Sequence, residues 1–281
     1  MRPITRSPRP LLAAWRRIPG PPRDPVKARL LRCYRDLLRY FGPQRWWPGR
    51  TPFEISAGAI LVQHTAWESA ARAVAALRGR RLLGAAAVAA MPDAALAEVI
   101  RPAGTYRLKA VRLRAFSRWL LERFGGSFRP MRAAPLAALR REMLSIAGLG
   151  PETVDSILLY AADRPVFVAD GYARRILGRH RLVPRAAGYE QARALIEAHL
   201  PSDPALFNEL HALLVAVGKT HCRTVPLCAT CPLRRDLPVG GPDLLIGGPR
   251  NGPPNPPALL TPRRSRGARR SRSRRSRRAR R

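Results

Sequence analysis

Gly148 and Gly150, one residue apart, close an apolar stretch in Ile146-Ala-Gly-Leu-Gly-Pro-Glu-Thr-Val-Asp-Ser-Ile-Leu-Leu159. Glycines permit a tight turn and close backbone approach, and Pro151 is suited to a first helical position. The unpaired N–H groups at such a helix start can hold an anion, with Leu149 inside the turn and Glu152 and Thr153 just beyond it. The bland alternative is a plain helical corner, with Glu152 a first-turn acid that suits the helix dipole. Farther along, the apolar run Val166-Phe-Val-Ala169 stops at Asp170, immediately before a second helical pattern. A carboxylate there can cap the helix, oppose a developing positive charge, or do both. Cys222-x5-Cys228-x2-Cys231 places three thiols at ligand-like spacing, and His211 and His221 nearby have the ligand type for zinc. Both histidines otherwise read as structural, and Cys33 as a small buried apolar residue.

The elements that must position these groups are helices. Asp24-Pro25 supplies a cap and a first-turn proline, after which Val26, Leu30, Tyr34, Leu37 and Leu38 recur on one face. Similar periodicity marks 53–64, 67–78, 93–100, 106–124, 135–146, 151–162, 171–181, 188–199 and 203–220. Glycine or proline separates them, as at Arg101-Pro-Ala-Gly104 and Gly125-Gly126. No stretch alternates convincingly as a strand and no solenoid repeat is present, so the expected architecture is all-α.

With 52 basic and 18 acidic residues among 281, the formal net charge is +34, which excludes an ordinary neutral metabolic enzyme and points to a polyanion. The span 25–238 is basic in its own right, while 263–281 carries twelve arginines and no acid. That tail cannot bury a core; it reads either as an electrostatic anchor on phosphates or as a solvated tail. Residues 240–257 read as a Gly/Pro-rich linker. Apolar residues make up 46%, enough for a folded body. No apolar run reaches the roughly 18 residues of a membrane span. The stretch 11–15 is too short for a signal-peptide core, so no membrane association and a cytoplasmic, nucleoid-associated location are expected. Four cysteines without an export signal argue against a disulfide framework.

A glycine hairpin between helices, a proline-containing loop and an aspartate, in this order, resemble the helix–hairpin–helix (HhH-GPD) DNA glycosylases that include endonuclease III. The likeness spans roughly residues 28–237. It implies an all-α two-domain fold, 25–53 packing with 166–238 and 54–165 carrying the hairpin, flanked by a basic arm 1–24 and a tail 239–281. It implies that Asp170 lies at the mouth of a groove, stabilises the oxocarbenium-like sugar and aligns or activates the attacking water. Gly148, Leu149, Gly150, Glu152 and Thr153 would then face double-stranded DNA carrying a damaged base.

Family members with lyase activity carry a lysine two positions beyond the second hairpin glycine. Here that position is Glu152, and a carboxylate cannot serve as the amine nucleophile. Trp46-Trp47-Pro48, with the segment from Phe53 to Gln63-His64-Thr65-Ala66-Trp67, resembles the 3-methyladenine glycosylases related to endonuclease III. The resemblance assigns Trp46, Trp47, Pro48 and Trp67 to a base pocket, with Lys219 at its side. An N-alkylated adenine is cationic, and a ring face attracts a cation by about 0.5–2 kcal/mol. Core packing is the alternative for the tryptophans, and solvation or a phosphate contact for Lys219. Gln63 falls where the family inserts a polar side chain into the gap left by the flipped nucleotide, with His64 in place of the usual asparagine; a turn cap is the bland reading. The cysteine spacing resembles the family's [4Fe–4S] loop, but the fourth ligand position is Leu237, so no cofactor is expected. The function expected is monofunctional hydrolysis of damaged, alkylated bases by a monomer. An endonuclease III-type lyase for oxidised pyrimidines with a retained [4Fe–4S] cluster and a non-catalytic DNA-binding module are the alternatives.

Overall fold

A computed structural model describes residues 24–44 and 46–244. The expected basic arm, apart from Asp24, and the Arg-rich tail lie outside these. Among the described residues the regular elements are helical, and no strand forms. We number the α-helices α1 Pro25–Phe41, α2 Pro52–Leu61, α3 Trp67–Gly79, α4 Ala85–Ala90, α5 Asp93–Val99 and α6 Tyr106–Phe124. They continue as α7 Leu136–Leu144, α8 Pro151–Ser156, α9 Gly171–Arg179, α10 Tyr189–His199 and α11 Pro204–Thr220.

Local chemistry explains where the helices begin. Asp24 accepts from the backbone N–H groups of Val26 and Lys27 at 2.9 and 3.1 Å, and Pro25 pre-sets the first turn of α1. Thr51 caps α2 through the Glu54 N–H at 3.1 Å. The sequence periodicity missed α4, whose Ala-Ala-Ala-Val-Ala-Ala carries no polar face to reveal a period.

α6 supports α4 and α5, while α11 is packed between α1 and α9. α2 is buried nearly all round and touches α3, α6 and α8. One apolar cluster runs from Leu30 to Leu233, so both halves share a continuous core among the described residues.

Two connections decide where the site lies. Beyond Ser156 the α8 helix loosens into a π-turn, Ile157–Ala161, which carries Tyr160. The chain then runs extended through the core, with Val166, Phe167, Val168 and Ala169 all buried. The Phe167 N–H on this segment is satisfied by Glu197 Oε1 at 2.8 Å rather than by a ladder partner. Its last residue is Asp170.

Candidate active site

Asp170 starts α9 and caps it: Oδ1 accepts from the Ala173 N–H at 2.8 Å. The side chain is only 4% exposed, yet it borders a cleft of about 330 Å³. Trp47, Gln63, His64, Arg112, Glu152 and His211 are among the residues lining the same cleft. Its lining thus combines two carboxylates and an indole ring with the glycine hairpin.

The hairpin is held by more than its turn. Gly148 has φ +83°, a left-handed conformation that favours glycine, and Gly150 is the residue before α8. Both glycines line the cleft and are exposed. Leu149 behaves differently: its side chain is 4% exposed and packs in the core, so only its backbone can face a ligand. Beneath the turn, Arg140 grips Asp155 with Nε–Oδ1 at 2.7 Å and Nη2–Oδ2 at 3.0 Å. The Tyr189 hydroxyl donates to the same carboxylate at 2.9 Å. These bonds tie α8 to α7 and α10.

Gln63 spans the cleft mouth. Its amide nitrogen donates to Gly148 O at 3.2 Å and Thr153 Oγ1 at 2.8 Å, while Arg112 donates to its carbonyl oxygen at 2.7 Å. Arg112 lies so close over the hairpin that a Cβ at position 148 would collide with its side chain at Nε. Gly148→Ala is thus expected to cost about 1–3 kcal/mol, from the left-handed backbone and the displaced guanidinium together. Thermal melting checks the stability loss, and a crystal structure of the variant should show the Arg112–Gln63 bond broken. His64 follows with φ +50°, exposed at the rim.

The tryptophans divide. Trp47 faces the cleft, with Trp67 edge-on behind it at 5.6 Å between centroids and Tyr160 tilted against it at 5.1 Å. Trp46 is buried against Ala212 and Val215, outside the lining. Pro48 is exposed, and Lys219 sits at the exposed end of α11; neither lines the cleft. No lysine is among its lining residues.

Glu152 is more than a dipole-matching acid. Burial and the neighbouring Asp170 charge push its carboxyl up to about 7, with the Arg174 charge pulling the other way. A carboxyl raised on folding from 4.5 gives stability that is complete below pH 4.5 and lost as pH rises through about 7. Glu152→Gln is therefore expected to raise stability by about 2 kcal/mol at pH 8 and to change it little at pH 4.5. Melting temperatures at the two pH values test this.

The cysteine loop lies elsewhere. Cys222, Cys228, Cys231 and Leu237 border a void of only about 10 Å³, room for a single water. The Arg179 guanidinium lies 3.5 Å from Cys222 Sγ and donates to the carbonyls of Arg223 and Thr224 at 2.6 and 3.0 Å. Burial pushes the Cys231 thiol up to about 11 and raises Cys228 as well. Three thiols with leucine in the fourth place do not supply the four thiolates that a [4Fe–4S] cluster needs. His221 borders the same void as the three cysteines, with its ring nitrogens facing Thr220 and Tyr40, whereas His211 belongs to the cleft. Among the described residues no three His, Cys, Asp or Glu side chains converge on a metal-sized site.

His211, Tyr160 and Arg112 were not assigned to this site from sequence. A histidine inside the apolar run Leu210-His-Ala-Leu-Leu214 was a usable signal for the first. Nothing distinguishes Arg112 from the other arginines of α6.

Residues 57–202 match the HhH-GPD superfamily of base excision DNA repair proteins. A Methanocaldococcus jannaschii protein named as a DNA repair glycosylase is 39% identical over 206 residues, 73% of this chain and 94% of that protein. The fold is shared with a trapped endonuclease III–DNA covalent intermediate, TM-score 0.64 at 19% identity, over 74% of this chain and 94% of that one. The 3-methyladenine DNA glycosylase MagIII of H. pylori, solved with 1,N6-ethenoadenine bound, superposes with TM-score 0.58 at 25% identity. That match covers 70% of this chain and 97% of MagIII.

Proposed function

Because this chain belongs to the HhH-GPD superfamily of DNA N-glycosylases, we propose that it is a monofunctional enzyme releasing alkylated, 3-methyladenine-type bases. The observation that carries this reading is the shared cleft: Asp170 and the Trp47 ring border one cavity beside an exposed glycine hairpin. Hairpin backbone amides hold a phosphate without reading sequence. The damaged nucleotide leaves the stack and enters the cleft, since its glycosidic bond is unreachable within a duplex.

An alkylated purine carries its own positive charge, so it departs as a neutral base without prior protonation. The electrons of the C1′–N bond leave with it, and positive charge develops on the sugar opposite Asp170. In a water-poor pocket that attraction is far stronger than in bulk solvent. A water then adds to C1′ and gives its proton to Asp170 or to solvent, leaving an abasic site. Trp47 supplies the aromatic surface for a cationic base. Gln63 must exchange its bonds to Gly148, Thr153 and Arg112 before it can fill the gap in the duplex. The lyase branch is disfavoured because Glu152 occupies the lysine position and no lysine lines the cleft.

Dimethyl-sulfate-treated duplex DNA, analysed by mass spectrometry of released bases, tests the proposal. Free 3-methyladenine is expected, with no borohydride-trapped adduct on abasic DNA. Release confined to oxidised pyrimidines, or a trapped covalent adduct, would overturn it.

A further inference from the structure

Asp170 and Tyr160 flank His211, an imidazole the reaction above does not use. It projects from α11, is 1% exposed, and borders the cavity. Its Nδ1 contacts the Tyr160 hydroxyl. Its Nε2 has no hydrogen-bond partner and lies 3.5 Å from Asp170 Oδ2. The other carboxylate oxygen, Oδ1, accepts from Ala173 N–H.

The protonation pattern follows from donor and acceptor chemistry. An ionised carboxylate only accepts, so the proton facing Oδ2 belongs on Nε2. In neutral imidazole Nδ1 is then an acceptor, and Tyr160 O–H must donate to it. Burial raises the Tyr160 phenol well above its ordinary range, so that proton stays in place. Tyr160 is itself braced by Trp47 at 5.1 Å, and the His211 ring stands edge-on to Phe167 at 6.4 Å.

We propose that His211 is a positioning residue for Asp170: its tautomer is set by Tyr160, and its Nε2–H holds Oδ2 toward the sugar of the extruded nucleotide. The inference rests on the reading of Asp170 as the catalytic carboxylate. At 3.5 Å the contact is longer than a hydrogen bond; catalytic contacts that are long in the free enzyme tighten once substrate seals the site. The same chain connects Trp47, where the base would lie, to the carboxylate that meets the sugar.

A buried histidine kept merely for packing would respond to side-chain shape, not to where its donor sits. Gln can place an amide N–H close to the imidazole Nε2 position, Asn cannot, and Phe fills the space without a donor. Single-turnover release of 3-methyladenine from dimethyl-sulfate-treated duplex is compared across wild type, His211→Gln, His211→Asn, His211→Phe and Tyr160→Phe. Affinity for a duplex with a tetrahydrofuran abasic analogue, and melting temperature, are measured alongside.

The expected result is a chemical step slowed about 30–100-fold in His211→Phe and His211→Asn, but within about fivefold of wild type in His211→Gln. Tyr160→Phe should lose about tenfold, with DNA affinity unchanged throughout. Wild-type rates in His211→Phe would overturn the proposal, as would His211→Gln and His211→Asn being equally slow. Should His211→Phe fail to fold, the Gln and Asn pair still decides. Asp170→Asn separates the two readings. If that variant is fully active, the catalytic carboxylate itself is wrong; if it is inactive while His211→Phe is active, only the role of His211 is.

Discussion

Asp170→Asn is expected to slow base release about 10³-fold or more while leaving the fold and DNA affinity intact. The fold survives because asparagine is as good a helix cap as aspartate, and its carbonyl oxygen can still accept from Ala173 N–H. What disappears is the negative charge, held at 4% exposure beside the cleft, where little water screens it. A cationic pyrrolidine in place of the abasic sugar supplies a second readout. Wild type should bind that duplex more tightly than the neutral tetrahydrofuran analogue, and the variant should lose the preference. Equal single-turnover rates in wild type and variant would remove Asp170 from the mechanism.

Arg140→Met should be among the most destabilising single changes, at about 3–5 kcal/mol, because it strands a buried charge. Asp155 is fully buried, and of its hydrogen-bond partners only the Tyr189 hydroxyl would remain after the change. Burial already raises the Asp155 carboxyl, opposed by Arg140, so removing the guanidinium drives it higher. A carboxyl raised on folding loses stability as pH rises, so the deficit should be larger at pH 8 than at pH 5. Calorimetric melting at both values measures it, with a drop of about 10 °C expected near neutrality. The double change Arg140→Met with Asp155→Leu should recover much of the loss, since an apolar pair leaves nothing unpaired. A single variant that melts with wild type would show the clamp to be dispensable. The clamp matters to function because it fixes α8, and with it the hairpin and Glu152, relative to Asp170.

Much of this molecule was readable in one dimension. The caps Asp24 and Asp170, the prolines at helix starts, the glycine turn and the apolar recurrence on α1, α6 and α11 depend on neighbours a few residues away. Spacing alone therefore exposes them. The helix α4 escaped because an alanine run has no second face to mark a period. Leu149 illustrates the opposite limit: its place in the turn was clear, but its side-chain direction was decided by the core it packs into.

The amino-acid order determined an all-helical chain, a hairpin built to approach phosphate, and a carboxylate at the head of a helix. Only the tertiary structure decided which groups surround that carboxylate. Trp47, Arg112, Glu152 and His211 reach the cleft from separate parts of the chain, and packing of α2, α6, α8 and α11 brings them together. It likewise left Trp46, Pro48 and Lys219 outside the lining. The physical reason is range. Backbone caps and turns are set by bonds within a few residues, whereas burial, and with it the raised carboxyl of Glu152 and the tautomer of His211, depends on groups far apart in sequence.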